Sequence, residues 1–361
     1  MRLLSKQEAL DFVSEHAAML DSSTNPANPF ARSDWIHHFI DQVAEDDWRI
    51  LALEGGTDGR NLMLAYCRTA SPRHFLALNN YYSSLYSPLS SLATSREERA
   101  TAMHSVIREL SSARPRIATI QLAPLEAESV DCAALLNELH RQRWYTKRYF
   151  AFGNWTLPCD GLGFDTYIAA RDSQVRNTLA RKSKKLLASG SLEILTEPAD
   201  VDRGMDAWDA IYSRSWKQPE PYPDFVRGWA RRCARRGWLR LGIASLEGKA
   251  IAAQFWFTVD RRAYIFKLAY DEEYSKWSAG TVLTAHMFRH ALESDRVVEI
   301  DYLTGDDPYK SAWMTHRRER VGLLACNLGS PRGAWAAARE MAGSLSAPLR
   351  QRIRSRAALQ A

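Results

Sequence analysis

The densest group of side chains that can do chemistry lies between residues 301 and 313. It follows VVEIDYL (297–303), an apolar run that predicts a buried strand, and it ends in a segment that predicts a helix. In α/β folds, ligand sites commonly lie where a strand gives way to a helix. A plain turn needs only a glycine and one aspartate, so a lysine and a tryptophan indicate more than a turn. The group comprises Asp301, Tyr302, Asp306, Asp307, Tyr309, Lys310 and Trp313.

Carboxylates and lysines in this setting predict proton transfer and anion binding. Asp301 lies in the apolar run, where burial would raise its pKa and suit a general base; alternatively, it caps the next turn. Asp306 is a second candidate base, and Lys310 is a candidate holder of a phosphate or carboxylate. Another lysine, Lys267, lies within the apolar strand YIFKLAYD (264–271). A lysine there needs either an acidic partner or a bound ligand.

The composition predicts a folded protein without a membrane span. The chain has 361 residues, of which 46% are apolar and 25% are charged, and its net charge is +6. It has no apolar run of about eighteen residues, which a transmembrane helix would need. The first residues, MRLLSKQEALDF, predict an amphipathic helix and not a signal peptide. We therefore expect a cytoplasmic protein.

Neither the cysteines nor the histidines predict a metal site. The five cysteines are scattered and form no CxxC pair, which is typical of reduced thiols in the cytosol. His286 and His290 fall on one face of a predicted helix but lack a third ligand. No metal cofactor is expected.

The predicted elements repeat. WRILALEGGTDGRNLMLAYCR (48–68) and WLRLGIASLEGKAIAAQFWFTV (238–259) each predict a hairpin that begins at a tryptophan. Each hairpin is followed by a strand, a helix, a strand, a helix and a strand, and the two series are offset by about 190 residues. This order predicts two similar α/β domains with a groove between them.

Residues 165–237 separate the two series and are predicted to be mostly helical. Basic residues cluster in this segment at 176–185 and 227–240, and again at 350–356 after a predicted amphipathic helix. Such clusters suit phosphate groups, but a solvated helix face is the better explanation of any single cluster. The last cluster also suits an anionic membrane surface.

Several of these features together resemble the GNAT superfamily of acyltransferases, and more narrowly its CelD/BcsL-type, Fem-like branch. The resemblance depends on their order along nearly the whole chain and not on any one motif. They are NPFARSDWIHHF (28–39), RNTLARKSKKL (176–186), Trp216-Lys217, the turn Glu247-Gly248-Lys249, YIFKLAYD, Ser278-Ala279-Gly280 and EIDYLTGDDPYKSAW (299–313).

The resemblance implies an α/β (α+β) fold of tandem GNAT-like domains, each a mixed central sheet flanked by helices. Residues 1–160 would form a degenerate GNAT-like domain. Residues 161–330 would form the acyltransferase domain, with the helical insertion 165–237. Residues 331–361 would form a basic helical tail.

The resemblance also implies a phosphopantetheine thioester as co-substrate, either acyl-CoA or acyl-carrier protein, and no metal. In GNAT folds one strand binds the pantetheine arm through its backbone, and the following loop and helix start bind pyrophosphate. Only Gly280 of the usual glycine-rich loop pattern is clearly present, which weakens the case for free acyl-CoA. The implied contacts are Tyr264, Lys267, Leu268 and Tyr270 on the strand, and Lys276, Ser278, Ala279, Gly280 and Thr281 on the loop and helix.

Acyl transfer to an amine needs a base and donors for the charge that develops on the thioester oxygen. Asp301 or Asp306 would be the base, Tyr309 or Tyr302 would protonate the departing thiolate, and Lys310 would bind an anion. The acceptor would be bound by Arg176, Arg181, Trp216, Lys217, Tyr302 and Trp313.

The sequence therefore predicts an N-acyltransferase acting on an amine of an envelope sugar, peptide or lipid base. Acyl-carrier protein and the inner face of the membrane are possible partners. One alternative is a Fem-like transferase that uses aminoacyl-tRNA, although a nucleic-acid partner is less expected than a small-molecule acceptor. The other is a non-catalytic binding protein of polysaccharide assembly, which the twelve tryptophans would suit.

Overall fold

The computed structural model describes residues 1–23, 25–55, 61–93 and 95–343, and within these ranges strands and helices alternate. The strands are β1 Arg2–Leu4, β2 Trp48–Gly55, β3 Asn61–Arg68, β4 His74–Ala77, β5 Ser90–Ser91, β6 Thr119–Glu126, β7 Trp144–Pro158, β8 Gly190–Leu195, β9 Leu239–Leu246, β10 Lys249–Val259, β11 Arg262–Tyr270, β12 Glu299–Asp301 and β13 His316–Asn327. The helices are α1 Lys6–Glu15, α2 Ala17–Ser23, α3 Ser33–Val43, α4 Arg96–Ser112, α5 Val130–Arg141, α6 Phe164–Ala169, α7 Ser173–Leu187, α8 Val201–Tyr212, α9 Pro223–Arg235, α10 Ala279–Arg289, α11 Pro308–Ser311 and α12, residues 331–343.

The described strands form one mixed sheet that runs through both halves of the chain. Its order is β1-β2-β3-β4-β6-β13-β7-β12-β11-β10-β9-β8, with β5 paired to β3. The β4–β6 and β11–β12 pairs are parallel, and the other pairs are antiparallel. The last strand of each half lies beside the other half, because β13 pairs with β6 and β7 pairs with β12. The two halves therefore share one sheet.

The predicted element order and the α/β class are confirmed. The order β2-β3-β4-α4-β6-α5-β7 in the first half recurs as β9-β10-β11-α10-β12-α11-β13. The domain boundary at residue 160 stays a prediction. Strand β8 was not predicted in the segment 165–237, and α11 is a single turn that ends before Trp313.

Three apolar clusters hold the layers together. One lies beneath α4 and α5, and a second lies beneath α7 and α10. The third joins the halves through α3 and α9, where the Trp35 ring packs edge-on against the rings of Phe225 and Trp229 at 5.4 and 4.8 Å. This shared core fixes the position of the first half relative to β11.

The amphipathic helix predicted after Pro331 is confirmed as α12. Its buried residues Ala336 and Ala337 pack on Cys326 of β13. The predicted basic end, residues 350–356, lies outside the described residues.

Candidate functional site

The candidate site lies where the parallel strands β11 and β12 separate. They are paired only from Arg262 to Tyr264 on β11 and from Glu299 to Asp301 on β12. A bulge in the β10–β11 ladder follows, which bends β11 away from its neighbour. A cavity of about 270 Å³ opens at this separation. Its lining residues are Tyr81, Tyr82, Lys217, Ile265, Phe266, Lys267, Leu268, Tyr302, Leu303, Thr304, Asp307, Tyr309 and Lys310.

Three lysines make the cavity strongly basic, and two of them have acidic partners. Lys267 pairs with Glu220 at 2.5 Å, and Lys310 pairs with Asp307 at 3.2 Å. Burial lowers the pKa of both lysines, against the opposing effect of the carboxylates. The sequence left open whether Lys267 has an acidic partner or a bound ligand. The structure shows the acidic partner, Glu220.

Lys217 is the lysine of this cavity with an uncompensated charge. Its ammonium group has no hydrogen-bond or ion-pair partner among the described residues, and it lies 5.7 Å from the Trp216 ring. Burial and the neighbouring ammonium groups of Lys267 and Lys310 together lower its pKa to about 8, against the raising effect of the Glu220 and Asp307 carboxylates. A cation that is partly desolvated and unpaired favours a negatively charged ligand atom.

Lys310 holds the loop that forms one wall of the cavity. Its ammonium group is buried and donates hydrogen bonds to the carbonyl oxygens of Thr304 at 2.6 Å and Gly305 at 3.2 Å. Gly305 has a φ of 105°, a conformation that favours glycine, so the loop turns sharply here. Of the two anions predicted for Lys310, a phosphate or a carboxylate, the structure shows the carboxylate of Asp307 at 3.2 Å.

Asp301 is buried and fully engaged. Its carboxylate accepts hydrogen bonds from Asn154 at 2.6 Å, from the backbone N–H of Leu303 at 2.7 Å and from Arg318 at 2.7 Å. It caps the next turn, which was the alternative to the base role, and it is not among the residues that line the cavity.

Asp306, Tyr309, Tyr302 and Trp313 occupy different surroundings. Asp306 is on the surface, where the hydrogen bond from Arg317 lowers its pKa against the raising effect of desolvation, and the hydrogen bond from Trp155 lowers it as well. Tyr302 and Tyr309 line the cavity, and burial raises the pKa of both phenols. Trp313 is buried against Phe288 and lies away from the cavity.

The predicted pantetheine strand contributes only part of its residues to the cavity. Lys267 and Leu268 line it, whereas Tyr264 is buried and donates a hydrogen bond to the carbonyl oxygen of Pro26. Tyr270 contacts the half-exposed ring of Trp216, with ring centres 4.6 Å apart.

The predicted phosphate loop does lead into a helix N-terminus. A 3₁₀ turn, Glu272–Trp277, contains Lys276; Ser278 follows with a φ of 53°, and α10 then begins at Ala279 with Gly280 and Thr281 in its first turn. The free N–H groups of such a first turn favour an anion. Lys182 of α7 donates to the carbonyl oxygen of Lys276, so α7 lies against this loop.

The basic clusters differ in how much charge they leave free. Arg176 and Arg181 on α7 are exposed and bond only to nearby backbone carbonyls, those of Ala169 and Asn177; Arg176 lines a separate groove beside α10. Most arginines of α9, and Arg236 directly after it, are neutralised by carboxylates. The pairs are Arg227 with Asp206 and Asp209, Arg231 with Asp202, and Arg232 and Arg236 with Asp34.

Sequence reasoning did not identify Tyr81, Tyr82 and Glu220 as site residues. Glu220 accepts hydrogen bonds from Tyr82 and Tyr212, both at 2.8 Å, in addition to its pair with Lys267. The aromatic loop at 79–89 and the proline-rich loop at 219–224 were visible in the sequence as loops. Nothing in their spacing indicated that they meet.

The corresponding separation in the first half, between β4 and β6, is filled by the chain itself. Asn79 donates a hydrogen bond to the carbonyl oxygen of Ala123 at 2.6 Å, and the N–H of Tyr86 donates to Pro124. The remaining space beside this loop is about 30 Å³. The same loop then carries Tyr81 and Tyr82 to the cavity in the second half.

Within the described ranges, all five cysteines are buried and unpaired, and burial raises the pKa of each thiol. No group of three His, Cys, Asp or Glu side chains in this part of the chain is arranged to hold a metal ion. No helix in the described part of the chain has the length and apolar composition needed to cross a bilayer.

Residues 173–311 match the family described as acetyltransferase (GNAT) domain. The match runs from α7 to α11 and includes every cavity residue except Tyr81 and Tyr82. No curated protein sequence matches this chain significantly.

Solved structures match the fold over both halves of the chain. The C-terminal domain of a putative lysylphosphatidylglycerol synthetase from Agrobacterium fabrum is 12% identical, with a TM-score of 0.55, over 93% of this chain and 97% of that chain. FemX is 11% identical, with a TM-score of 0.58, over 87% and 95%. L-PGS from Bacillus licheniformis is 11% identical, with a TM-score of 0.54, over 89% and 92%. The chain therefore shares the overall fold of these three proteins, and its residues 173–311 match a GNAT domain.

Proposed function

We propose that this protein is an N-acyltransferase that moves an acyl group from a phosphopantetheine thioester to an amine. The observation that carries the proposal is the basic cavity at the point where β11 and β12 separate. An open strand edge there offers backbone groups to a pantetheine arm, and α10 begins at the far end of the same strand. The family match over residues 173–311 supports the same chemistry.

In the proposed reaction, the amine nitrogen attacks the thioester carbonyl carbon, the C–N bond forms and the C–S bond breaks. The Lys217 ammonium group stabilises the negative charge that develops on the carbonyl oxygen, because it forms no ion pair of its own among the described residues. The thiolate leaves with a proton from Tyr309, whose phenol is half-exposed at the cavity.

We assign removal of the amine proton to Asp307 in place of Asp301 or Asp306. Among the described residues that line the cavity, Asp307 is the one carboxylate, and its side chain is 57% exposed. Lys310 holds it in place at 3.2 Å and is therefore a positioning residue. Geometry supports this assignment, since a base must reach the proton it removes.

Acyl-CoA and acyl-carrier protein remain alternative donors, because both present the same arm. The acceptor proposed is an amine on an envelope sugar, peptide or lipid base, in the cytoplasm or at the inner face of the membrane. The CelD/BcsL-type branch is the family placement that this proposal favours.

Purified protein should release free thiol from an acyl thioester in an amine-dependent manner, and mass spectrometry should find the matching amide. Acyl-CoA and acyl-carrier protein are assayed in parallel, with panels of amino sugars, amino acids and long-chain bases. Asp307→Asn and Lys217→Met should each lower the rate, and Arg96→Gln, on an exposed position of α4, is the control. Thioester binding without turnover under any acceptor would support a non-catalytic binding protein instead.

A second candidate is an aminoacyl transferase that uses charged tRNA. It is favoured by the fold match to FemX over 87% of the chain and by the exposed basic residues on α7. The neutralised arginines of α9 argue against an extended RNA surface. RNA affinity that falls steeply with added salt would support this candidate, and no binding at low salt would exclude it.

A further inference from the structure

A second cavity, larger than the first, lies between α12 and the sheet of the first half. Its volume is about 800 Å³, within the range of small-molecule sites. Helices α4 and α5 cover the other face of this part of the sheet, and α12 covers this face. The cavity shares no residue with the site between β11 and β12.

The cavity exists because α12 contacts the sheet through small residues. Its start is fixed closely, since a Cβ on Gly333 would lie 2.2 Å from the carbonyl oxygen of Asn327. Further along, only Ala336 and Ala337 are buried against Cys326. Alanine side chains are too short to fill the space beside them, so an opening remains between the helix and strands β4, β6 and β13.

One wall of the cavity is apolar and exposed. Leu76 is 39% exposed and Trp335 is 66% exposed. Both line the cavity, so a bound ligand would cover them. The apolar lining is completed by Phe75, Leu324, Pro331 and Ala336. A large exposed indole beside an open cavity is typical of a binding surface.

The rim is basic and its charge is uncompensated. Arg332 and Arg339 have no hydrogen-bond or ion-pair partner among the described residues; the Arg339 guanidinium lies 5.1 Å from the Trp335 ring. The one carboxylate in the lining, Glu340, pairs with Lys147 at 3.0 Å. His74 faces the same space, its Nδ1 hydrogen-bonded to Thr119 at 2.8 Å, and burial together with the two guanidiniums lowers its pKa.

From an apolar wall and an uncompensated basic rim, we infer that this cavity binds a single-chain anionic amphiphile, such as a long-chain fatty-acid carboxylate. The chain lies against Leu76 and Trp335, and the carboxylate lies between Arg332 and Arg339. An apolar ligand would leave the arginines unused, and a small anion would leave the apolar wall exposed. The inference is independent of the proposed acyl transfer.

Calorimetric titration of the full chain with laurate, dodecanol and acetate tests this. Laurate should bind, and acetate, which has no chain, should not. Dodecanol, which has no charge, should bind at least about tenfold more weakly than laurate, a difference of 1.4 kcal/mol. The double variant Arg332→Gln/Arg339→Gln should weaken laurate at least about tenfold, and Leu76→Asp should abolish binding. Arg96→Gln controls for lost charge, and Lys217→Met, which should bind laurate normally, controls for the other cavity.

Three results would overturn the inference. Equal affinity for dodecanol and laurate would make the cavity merely apolar. Laurate binding that Lys217→Met removes would place the ligand in the other site. Binding to phosphatidylglycerol vesicles without binding of monomeric laurate would indicate a membrane surface. In that case, vesicle binding by Arg332→Gln/Arg339→Gln, compared with the unchanged protein, would measure the contribution of α12.

Discussion

Lys267 on β11 and Glu220 in the loop after α8 form an ion pair whose two side chains are only 14% and 11% exposed. The pair joins the cavity floor to a loop that also receives the Tyr82 hydroxyl from the first half of the chain. It therefore ties together three segments that are distant in sequence.

Glu220→Gln should destabilise the protein by about 3–5 kcal/mol, because it leaves the Lys267 ammonium buried without a counter-charge. Lys267→Met/Glu220→Gln should cost less than the sum of the single changes, as measured by urea unfolding. Additive effects would show that the two groups do not interact.

The same pair predicts a pH dependence of stability. Burial alone would raise the pKa of Glu220, but Lys267 and the two phenols lower it below its ordinary value of 4.5. A lowered carboxylate pKa contributes stability that is complete above that ordinary value and is lost as the pH falls. Glu220→Gln should therefore flatten the acid limb of the stability curve, and an unchanged limb would contradict the assignment.

The transfer rate should fall at alkaline pH, because Lys217 loses its proton there. Its pKa is about 8 in the ligand-free protein, so the ammonium form is lost as the pH rises through 8. Lys217→Arg should keep the rate high at more alkaline pH, because a guanidinium stays protonated. Lys217→Met should be slow at every pH, and a wild-type profile in Lys217→Arg would remove the role proposed for this residue.

Variants of Asp307 and Lys310 should differ in whether they affect only activity or also the stability of the loop. Asp307→Asn should lower kcat strongly with little effect on folding, because its side chain is largely exposed. Lys310→Ala should lower both activity and stability, the latter by about 1–3 kcal/mol, since two carbonyls lose a buried donor. Full activity in Asp307→Asn would exclude it as the base.

Asp301→Asn should act mainly on stability. Its partly exposed partner Arg318 would keep its pair with Glu299 but lose one counter-charge, and the hydrogen bond from Asn154 would change, at a cost of about 1–3 kcal/mol. The folded fraction should retain its kcat. A stable, inactive Asp301→Asn protein would return the base role to Asp301, as the sequence first suggested.

Gly280→Ala tests the phosphate loop without disturbing the fold. A Cβ at this position would lie 3.5 Å from Tyr270, an ordinary contact, and alanine is the better helix former by up to about 1 kcal/mol. Stability should hold or rise while the KM for the thioester rises, because the methyl group crowds the N-terminus of α10. An unchanged KM would show that the donor does not bind there.

The sequence by itself determined the repeated element order of both halves, the α/β class and the strand-to-helix corner at 301–311, although the helix there is a single turn. Hydrophobic periodicity and turn residues are local signals, so they can be read along the chain. Lys267 could be identified in the same way, because it is a charged residue among apolar residues of one strand.

Only the tertiary structure decided which groups meet at that corner. Tyr82 and Glu220 are 138 residues apart, and no local pattern encodes their contact. Asp301 looked like a base because its strand is apolar, but its carboxylate accepts hydrogen bonds from Asn154 on β7, the adjacent strand, and from Arg318 on β13, the strand beyond it. The exchange of β7 and β13 between the halves produces that arrangement, because side chains pair across a sheet and not along a strand.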